Sequence, residues 1–262
     1  MDDDPGGDSP GRGTGAVPPP ALDLLVDAHV HTGFATGRGA VTEYVTAAER
    51  AGLAGLTFGD LAGPETTWLP AYLHAVRRAQ HRTDLVLHAA VEVEVVRHDG
   101  WLAFPADLAE LEAVSVVLCT VPMPAGRLSP GQARAAVAAG TLHPQAVVAA
   151  AVEASIRAVE RASRYAPTRL ARPLSVLTAA GIDESEVSQE QLRALAAGCR
   201  ATRTEVEVSE AWRTPSPRLA RELALAGVRL VVASDATDAG QVGRWRYVQS
   251  VRSALAGLAG AA

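Results

Sequence analysis

The stretch Leu24-Leu25-Val26-Asp27-Ala28-His29-Val30-His31 carries the clearest indication of the fold. It begins as a short apolar run and then alternates apolar with polar side chains. A short run that is almost continuously apolar is typical of a parallel strand covered on both faces. The polar residues lie where such a strand would end, so the pattern predicts functional side chains at the carboxyl end of a buried strand.

Six further runs of the same kind follow along the chain, and amphipathic helical stretches separate them. The predicted strands cover residues 24–29, 55–59, 85–91, 114–119, 170–174, 205–208 and 229–234. The predicted helices cover residues 41–51, 68–80, 144–164, 189–197, 217–226 and 245–258. Alternating strands and helices predict an α/β fold, either a parallel barrel or an open doubly wound sheet. In both folds, ligands bind at the carboxyl ends of the strands.

The composition is that of a globular protein, with 262 residues, 48% of them hydrophobic and 20% charged. Residues 22–262 suit one barrel domain, whereas residues 1–21, rich in Gly, Pro and Asp, predict a disordered tail. The net charge of -5 argues against nucleic acid as a partner. No apolar run approaches the ~18 residues of a membrane span and no targeting signal is evident, so we expect a cytoplasmic protein without a membrane partner.

His29 and His31 form the first candidate site. Side chains two residues apart in a strand point the same way, so both imidazoles can reach one divalent ion. Asp27 shares this orientation and is a candidate for fixing one ring's tautomer. The alternative is a pair of partly exposed loop histidines.

Two acidic residues at other strand ends extend this site. Glu92 follows the third predicted strand and Asp235 follows the seventh. Each has a simpler interpretation: Glu92 as a solvated strand end and Asp235 as the cap of a turn. Together with the two histidines, they form a donor set suited to one zinc, manganese or iron ion.

These residues resemble the polymerase-and-histidinol-phosphatase (PHP) superfamily of metal-dependent phosphoesterases. The resemblance extends from about Asp27 to Leu258. It rests on the segments Asp27-Ala28-His29-Val30-His31-Thr32, Ala48-Glu49-Arg50-Ala51-Gly52-Leu53, Val91-Glu92 and Ala233-Ser234-Asp235-Ala236. It implies a distorted seven-stranded (β/α)7 barrel, similar to a TIM barrel. It also implies that His29, His31, Glu92 and Asp235 match ligands of the family's cluster of two or three metals.

The chain departs from the family's pattern at the remaining ligand positions. The family's Asp-His after the second strand is Asp60-Leu61, and Val121 stands where a histidine follows the fourth. The His-Pro after the fifth strand is Arg172-Pro173, and the last motif ends in Thr237 rather than histidine. We therefore expect one divalent metal at most, or none. Arg172 would pair with Glu92 or bind an anionic group, unless it is a surface arginine before a turn.

The remaining candidates surround the predicted mouth of the barrel. Glu207 and Asp60 are candidate general bases, and Trp212 and Arg213 lie in a loop suited to contact a ligand, although such a tryptophan often only covers a core. The sequence predicts a metal-dependent, phosphoesterase-like hydrolase acting on a small anionic molecule, a phosphate or carboxylate. The alternative is a pseudoenzyme or repurposed barrel, either a lyase, cyclase or isomerase or a ligand-binding protein. A purely structural module has the least support.

Overall fold

The computed structural model describes residues 22–257, in which seven parallel strands form one sheet in the order β1-β2-β3-β4-β7-β8-β9. These strands are β1 Val26–Val30, β2 Gly55–Ala62, β3 Val86–Glu94, β4 Ala113–Val117, β7 Thr168–Leu170, β8 Glu205–Ser209 and β9 Leu230–Ala233. A separate antiparallel hairpin consists of β5 Val121–Met123 and β6 Gly126–Leu128.

The sheet closes on itself where its first and last strands meet. The Asp235 amide donates to the His29 carbonyl over 3.0 Å, and the His31 amide donates to the Ala236 carbonyl over 2.9 Å. Nearer the start of β1, the Asp27 carboxylate replaces a backbone partner and accepts from the Ser234 amide at 2.9 Å. The result is a nearly closed seven-stranded barrel joined at its carboxyl end, which confirms the predicted fold class.

Helices cover the outside of the barrel. They are α1 Val41–Arg50, α2 Leu69–Gln80, α3 Pro130–Ala138, α4 Pro144–Ala162, α5 Ser175–Ala179, α6 Gln189–Ala201, α7 Pro217–Leu225 and α8 Tyr247–Ala256. Serine caps begin three of them, because Ser129, Ser188 and Ser216 each accept an amide hydrogen from the first turn. Each helix buries apolar residues, as expected for α/β packing.

The structure differs from the sequence prediction around the fifth predicted strand. The strand there covers Thr168–Leu170 rather than residues 170–174. Arg172 and Leu174 have φ angles of 34° and 58°, which a strand does not accommodate, and Pro173 lacks an amide hydrogen. The prediction also missed the β5–β6 hairpin, α3 and α5. The expected tail at 1–21 and the end of the last predicted helix at Leu258 lie outside the described residues, so the proposed domain division stays a prediction.

Within residues 22–257, the helices lack the length and apolar composition that crossing a bilayer requires. The cytoplasmic location expected from the sequence stays a prediction.

Tyr72 of α2 ties the helical layer to the two strands that lead to the candidate site. The Tyr72 side chain is fully buried, and its hydroxyl hydrogen is shared between the carbonyls of Phe58 in β2, at 2.9 Å, and Ala90 in β3, at 2.7 Å. Burial raises the pKa of Tyr72 well above its usual value, so the phenol stays a donor.

We expect Tyr72→Phe to lower the free energy of unfolding by about 1–2 kcal/mol, because two buried carbonyls lose their shared donor. Urea denaturation followed by circular dichroism measures this loss. Tyr165→Phe is the matched control, since the Tyr165 side chain is 65% exposed and its hydroxyl can exchange partners with water. Equal effects of the two substitutions would contradict the role assigned to Tyr72.

Candidate metal centre

Four side chains from three strand ends converge at the carboxyl end of the barrel. They are His29, His31, Glu92 and Asp235. One donor atom from each lies within 4.8 Å of the others, and all four residues are buried. The structure therefore brings together the whole donor set predicted from the sequence, and the cluster could bind a metal ion.

The local backbone explains this convergence. His29 and His31 extend from the same face of the first strand and its continuation. Glu92 lies in β3, opposite Leu61 of β2 and Ser115 of β4. Asp235 follows β9 with a φ of 51°, an uncommon conformation for a non-glycine residue that is often seen at functional sites. Its backbone bond to β1 holds this conformation in place.

Both ring nitrogens of His29 face hydrogen-bond acceptors. Nδ1 lies 3.0 Å from a Glu207 oxygen, and Nε2 lies 2.8 Å from the Gly59 carbonyl oxygen. Burial alone would lower the pKa of His29, but the charge of Glu207 and its hydrogen bond raise this pKa to about 10. Glycine is needed at position 59, because a Cβ there would lie only 2.6 Å from His29 Nε2. His29 is therefore held as a cation between strands β2 and β8.

Arg172 binds both carboxylate oxygens of Glu92. Its Nη2 lies 2.9 and 2.8 Å from the two oxygens, and its Nε lies 3.1 Å from the first. Burial opposes the charge on Arg172, but Glu92 outweighs it and raises the pKa of the guanidinium above its usual value. The Trp212 ring stacks on the other side, 4.6 Å from Arg172 Cζ. Of the alternatives left open by the sequence, pairing with Glu92 is the one observed, and Arg172 is not a surface residue.

His31 and Asp235 keep unused hydrogen-bonding capacity. His31 Nε2 lies 3.7 Å from Asp235 Oδ1, beyond hydrogen-bond distance. Asp235 Oδ1 and His31 Nδ1 are buried without a hydrogen-bond partner among residues 22–257. The other Asp235 oxygen accepts from the Ser209 hydroxyl. Buried polar atoms without partners are rare in native proteins, and these two atoms are available to bind a ligand.

The spacing of the four donor atoms is close to what one divalent ion requires. Ligands on opposite sides of an ion with bonds of ~2.0–2.2 Å lie at most about 4.4 Å apart, so the observed spread requires a small contraction. Two further positions offer no donor: Leu61 lies beside Glu92 in the sheet, and Val121 is fully buried in the apolar core.

The two candidate bases are engaged with neighbouring residues. Besides His29, Glu207 accepts from the Ser115 hydroxyl at 2.9 Å. Asp60 accepts from the Thr32 amide at 2.7 Å and from its hydroxyl at 2.5 Å. Burial raises the pKa of Asp60, while these Thr32 bonds oppose the shift. The contacts favour positioning roles for both acids, and their catalytic assignment stays a prediction.

The predicted substrate-binding residues take different positions. Trp212 covers Arg172 and is 46% exposed, so it lies at the mouth of the barrel. Arg213 is exposed beside it, with a φ of 52°. Neither placement tests the proposed contact with a substrate.

The sequence analysis did not identify three residues whose hydroxyl groups orient the acidic side chains of the site. Ser209 bonds Asp235, Ser115 bonds Glu207, and Thr32 bonds Asp60. Ser209 shares the two-residue spacing of Glu205 and Glu207, so its inward direction was detectable. Ser115 is the only polar residue of β4, which was a further signal.

Comparison with known proteins supports the fold. No protein-family model matches the sequence, and no curated protein matches it. Among solved structures, it is similar to that of a candidate histidinol phosphatase, hisK, from Listeria monocytogenes. The TM-score is 0.63 at 16% identity, and the match covers 84% of this chain and 97% of that protein. The similarity to that solved structure confirms the PHP-like fold implied by the sequence resemblance.

Two further similarities are weak. A D-hydantoinase from Thermus sp. has a TM-score of 0.36 at 11% identity, covering 78% of this chain and 52% of that one. The catalytic domain of a β-amylase from Paenibacillus polymyxa has a TM-score of 0.37 at 7% identity, covering 91% and 100%. Similarity at this level carries no argument about this chain.

We expect Arg172→Met to lower the free energy of unfolding by about 3–5 kcal/mol in metal-free buffer, because it leaves the Glu92 carboxylate buried without a partner. Denaturant titration measures the loss. Adding Glu92→Gln to Arg172→Met restores part of it, since the uncompensated charge is then gone.

Arg229→Met is the matched control for this substitution. Arg229 also pairs with a glutamate, Glu205, but its side chain is 78% exposed, so its loss changes stability by about 1 kcal/mol or less. If Arg172→Met were no more destabilising than Arg229→Met, the role of Arg172 as the partner that keeps the buried Glu92 carboxylate stable would be contradicted.

Proposed function

We propose that the protein is a metal-dependent hydrolase, resembling PHP phosphoesterases, that binds one divalent ion and acts on a small anionic substrate. The observation that carries this proposal is the buried, unpartnered Oδ1 of Asp235 close to His31. His29 and Glu92 complete the ligand set when they exchange their present partners for the ion. Zinc, manganese and iron all accept such a mixture of imidazole and carboxylate ligands.

The balance of buried charges towards the carboxyl end of the barrel favours a bound cation. Its buried carboxyl groups are Asp27, Asp60, Glu92, Glu207 and Asp235. The buried cations facing them are Arg172 and His29. Burial raises the pKa of Asp27 to about 6, because a carboxylate loses its hydration there, and the charge of Asp235 adds to the shift. A divalent cation would offset part of this excess.

The chain's own residues suit the binding and orientation of an oxyanion. Arg172 bonds Glu92 through Nε and Nη2, which leaves the Nη1 hydrogens for a phosphate or carboxylate oxygen. Trp212 keeps the guanidinium in place, and Arg213 adds a positive charge at the rim. A bound ion would supply Lewis acidity, polarising a phosphoryl or carbonyl oxygen. Glu207 would fix the orientation of His29, and Asp60 would hold the loop that follows His31.

A second candidate is a repurposed barrel that works without a metal. The specific observation in its favour is that His29 and Glu92 already have partners on every donor or acceptor atom. The imidazolium and the guanidinium would then replace the metal ions as fixed cations. Such a pocket would bind an anionic molecule, or carry out lyase, cyclase or isomerase chemistry with its acids and Arg172.

Elemental analysis separates the two candidates. We expect purified protein equilibrated with zinc or manganese to retain about one ion per chain, and Asp235→Asn and His31→Ala to weaken binding at least about tenfold. His88→Ala is the control, because His88 lies in a half-exposed pair with Glu112 away from the cluster. Negligible metal in both wild type and His31→Ala favours the metal-free barrel.

Activity gives the second test. We expect hydrolysis within a panel of phosphate monoesters and carboxylate-bearing esters, with chelation abolishing turnover and the added ion restoring it. Arg172→Lys should raise KM more than it lowers kcat, because lysine cannot form the same fork on an oxyanion. Turnover that survives complete removal of metal would contradict the hydrolase proposal.

A further inference from the structure

A cavity lies at the amino-terminal end of the barrel, opposite the candidate metal centre, and we call it the barrel-foot cavity. It has a volume of about 480 Å³ and is lined by Val26, Ala28, Thr57, Arg169, Glu205 and Leu230, among others. An adjoining space of about 310 Å³ shares Arg169, Glu205 and His88 with it. Barrels of this type are normally filled by branched apolar side chains, so an open polar foot is unusual.

The incomplete junction between the first and last strands accounts for the opening. β1 and β9 are joined by hydrogen bonds from Asp27 towards the carboxyl end, and residues of both strands line the cavity below that point. The Ala28 carbonyl instead accepts from Arg169 Nη1 at 2.8 Å, across the inside of the barrel. Arg169 therefore takes the place of a strand-to-strand bond.

Arg169 has donor capacity left over. Its Nε donates to Glu205 at 3.1 Å, and its bonds within residues 22–257 use only Nε and Nη1. The side chain is 15% exposed, so the remaining N–H groups face the cavity rather than open solvent. Thr57 lines the inner end of the same cavity, and its buried hydroxyl has no partner among the described residues.

The acidic groups around the cavity already have hydrogen-bond partners. Glu205 accepts from Arg169 with one oxygen and from Arg229, at 3.0 Å, with the other. Asp23 accepts from the Leu25 amide at 2.9 Å. Arg169 keeps unused donors beside these paired carboxylates, and a ligand that complements them must supply an acceptor, best an oxyanion.

The walls complete the description of the ligand. Val26 and Val231 are partly exposed and present apolar surface beside the arginine, and the volume lies within the usual range for small-molecule sites. We propose that the barrel-foot cavity binds a small aliphatic carboxylate, with its carboxylate on Arg169 and Thr57 and its hydrocarbon part against these two side chains. This site is separate from the candidate metal centre and does not depend on the proposed hydrolase function.

Isothermal titration calorimetry with butyrate at constant ionic strength tests this proposal. We expect butyrate to bind saturably at millimolar concentration. We expect no binding of n-butanol, which has the same chain without the charge. Arg169→Gln should weaken binding about tenfold or more, because a charge-assisted bond is lost. Thr57→Val, a substitution of equal size, should weaken it about fivefold and stays informative if Arg169→Gln fails to fold.

Two controls tie the result to this cavity. Arg50→Gln removes an exposed arginine of α1 and should leave butyrate binding unchanged. Asp235→Asn should also leave it unchanged while lowering metal content, which separates this site from the proposed function. Butyrate that binds no better than n-butanol, that binds Thr57→Val as it binds the wild type, or that binds more weakly than inorganic phosphate would overturn the assignment.

Discussion

The pairing of Arg172 with Glu92 is the interaction on which the mouth of this barrel depends. A glutamate whose side chain is 1% exposed needs a full positive charge beside it, and the guanidinium supplies that charge through three hydrogen bonds. The arginine stands where the resembled family has a metal-binding histidine. A fixed organic cation thus occupies a position that, by this resemblance, would otherwise contribute to holding a metal ion.

The same arginine is the reason that we propose one ion rather than two at this site. Arg172 would repel a second cation close to Glu92, and Leu61 adds an apolar side chain at the neighbouring position. What remains is the space between His31 and Asp235, where buried polar atoms have no partner. An ion there would compete with Arg172 for Glu92 and with a proton for His29, whose ring nitrogens face the Glu207 carboxylate and the Gly59 carbonyl. The proposed function therefore depends on whether Glu92 and His29 bind the ion or their present partners more strongly. The difference is the free energy of a few hydrogen bonds.

The interior of the barrel is polar well below this site. Glu207 and Ser115 form a hydrogen-bonded group with His29 of the candidate metal centre, and Arg169 crosses the barrel nearer its foot. Each of these buried polar side chains needs a partner. Such an interior places a stronger requirement on every buried hydrogen bond than an apolar interior would.

The seven strands of the sheet, most of the helices and the two histidines facing one way could be derived from the sequence, because periodicity and the direction of side chains are local properties. The convergence of Glu92 and Asp235 on them was also predictable, since parallel strands end at one edge. The pairing of Arg172 with Glu92 was among the predicted alternatives, but the partners of His29 and Arg169 were not predicted. Glu207 reaches His29 across 178 residues, and Arg169 reaches Ala28 across 141. Only the closed barrel determines which side chains share its interior, because strand tilt and register set those contacts and no local pattern encodes them.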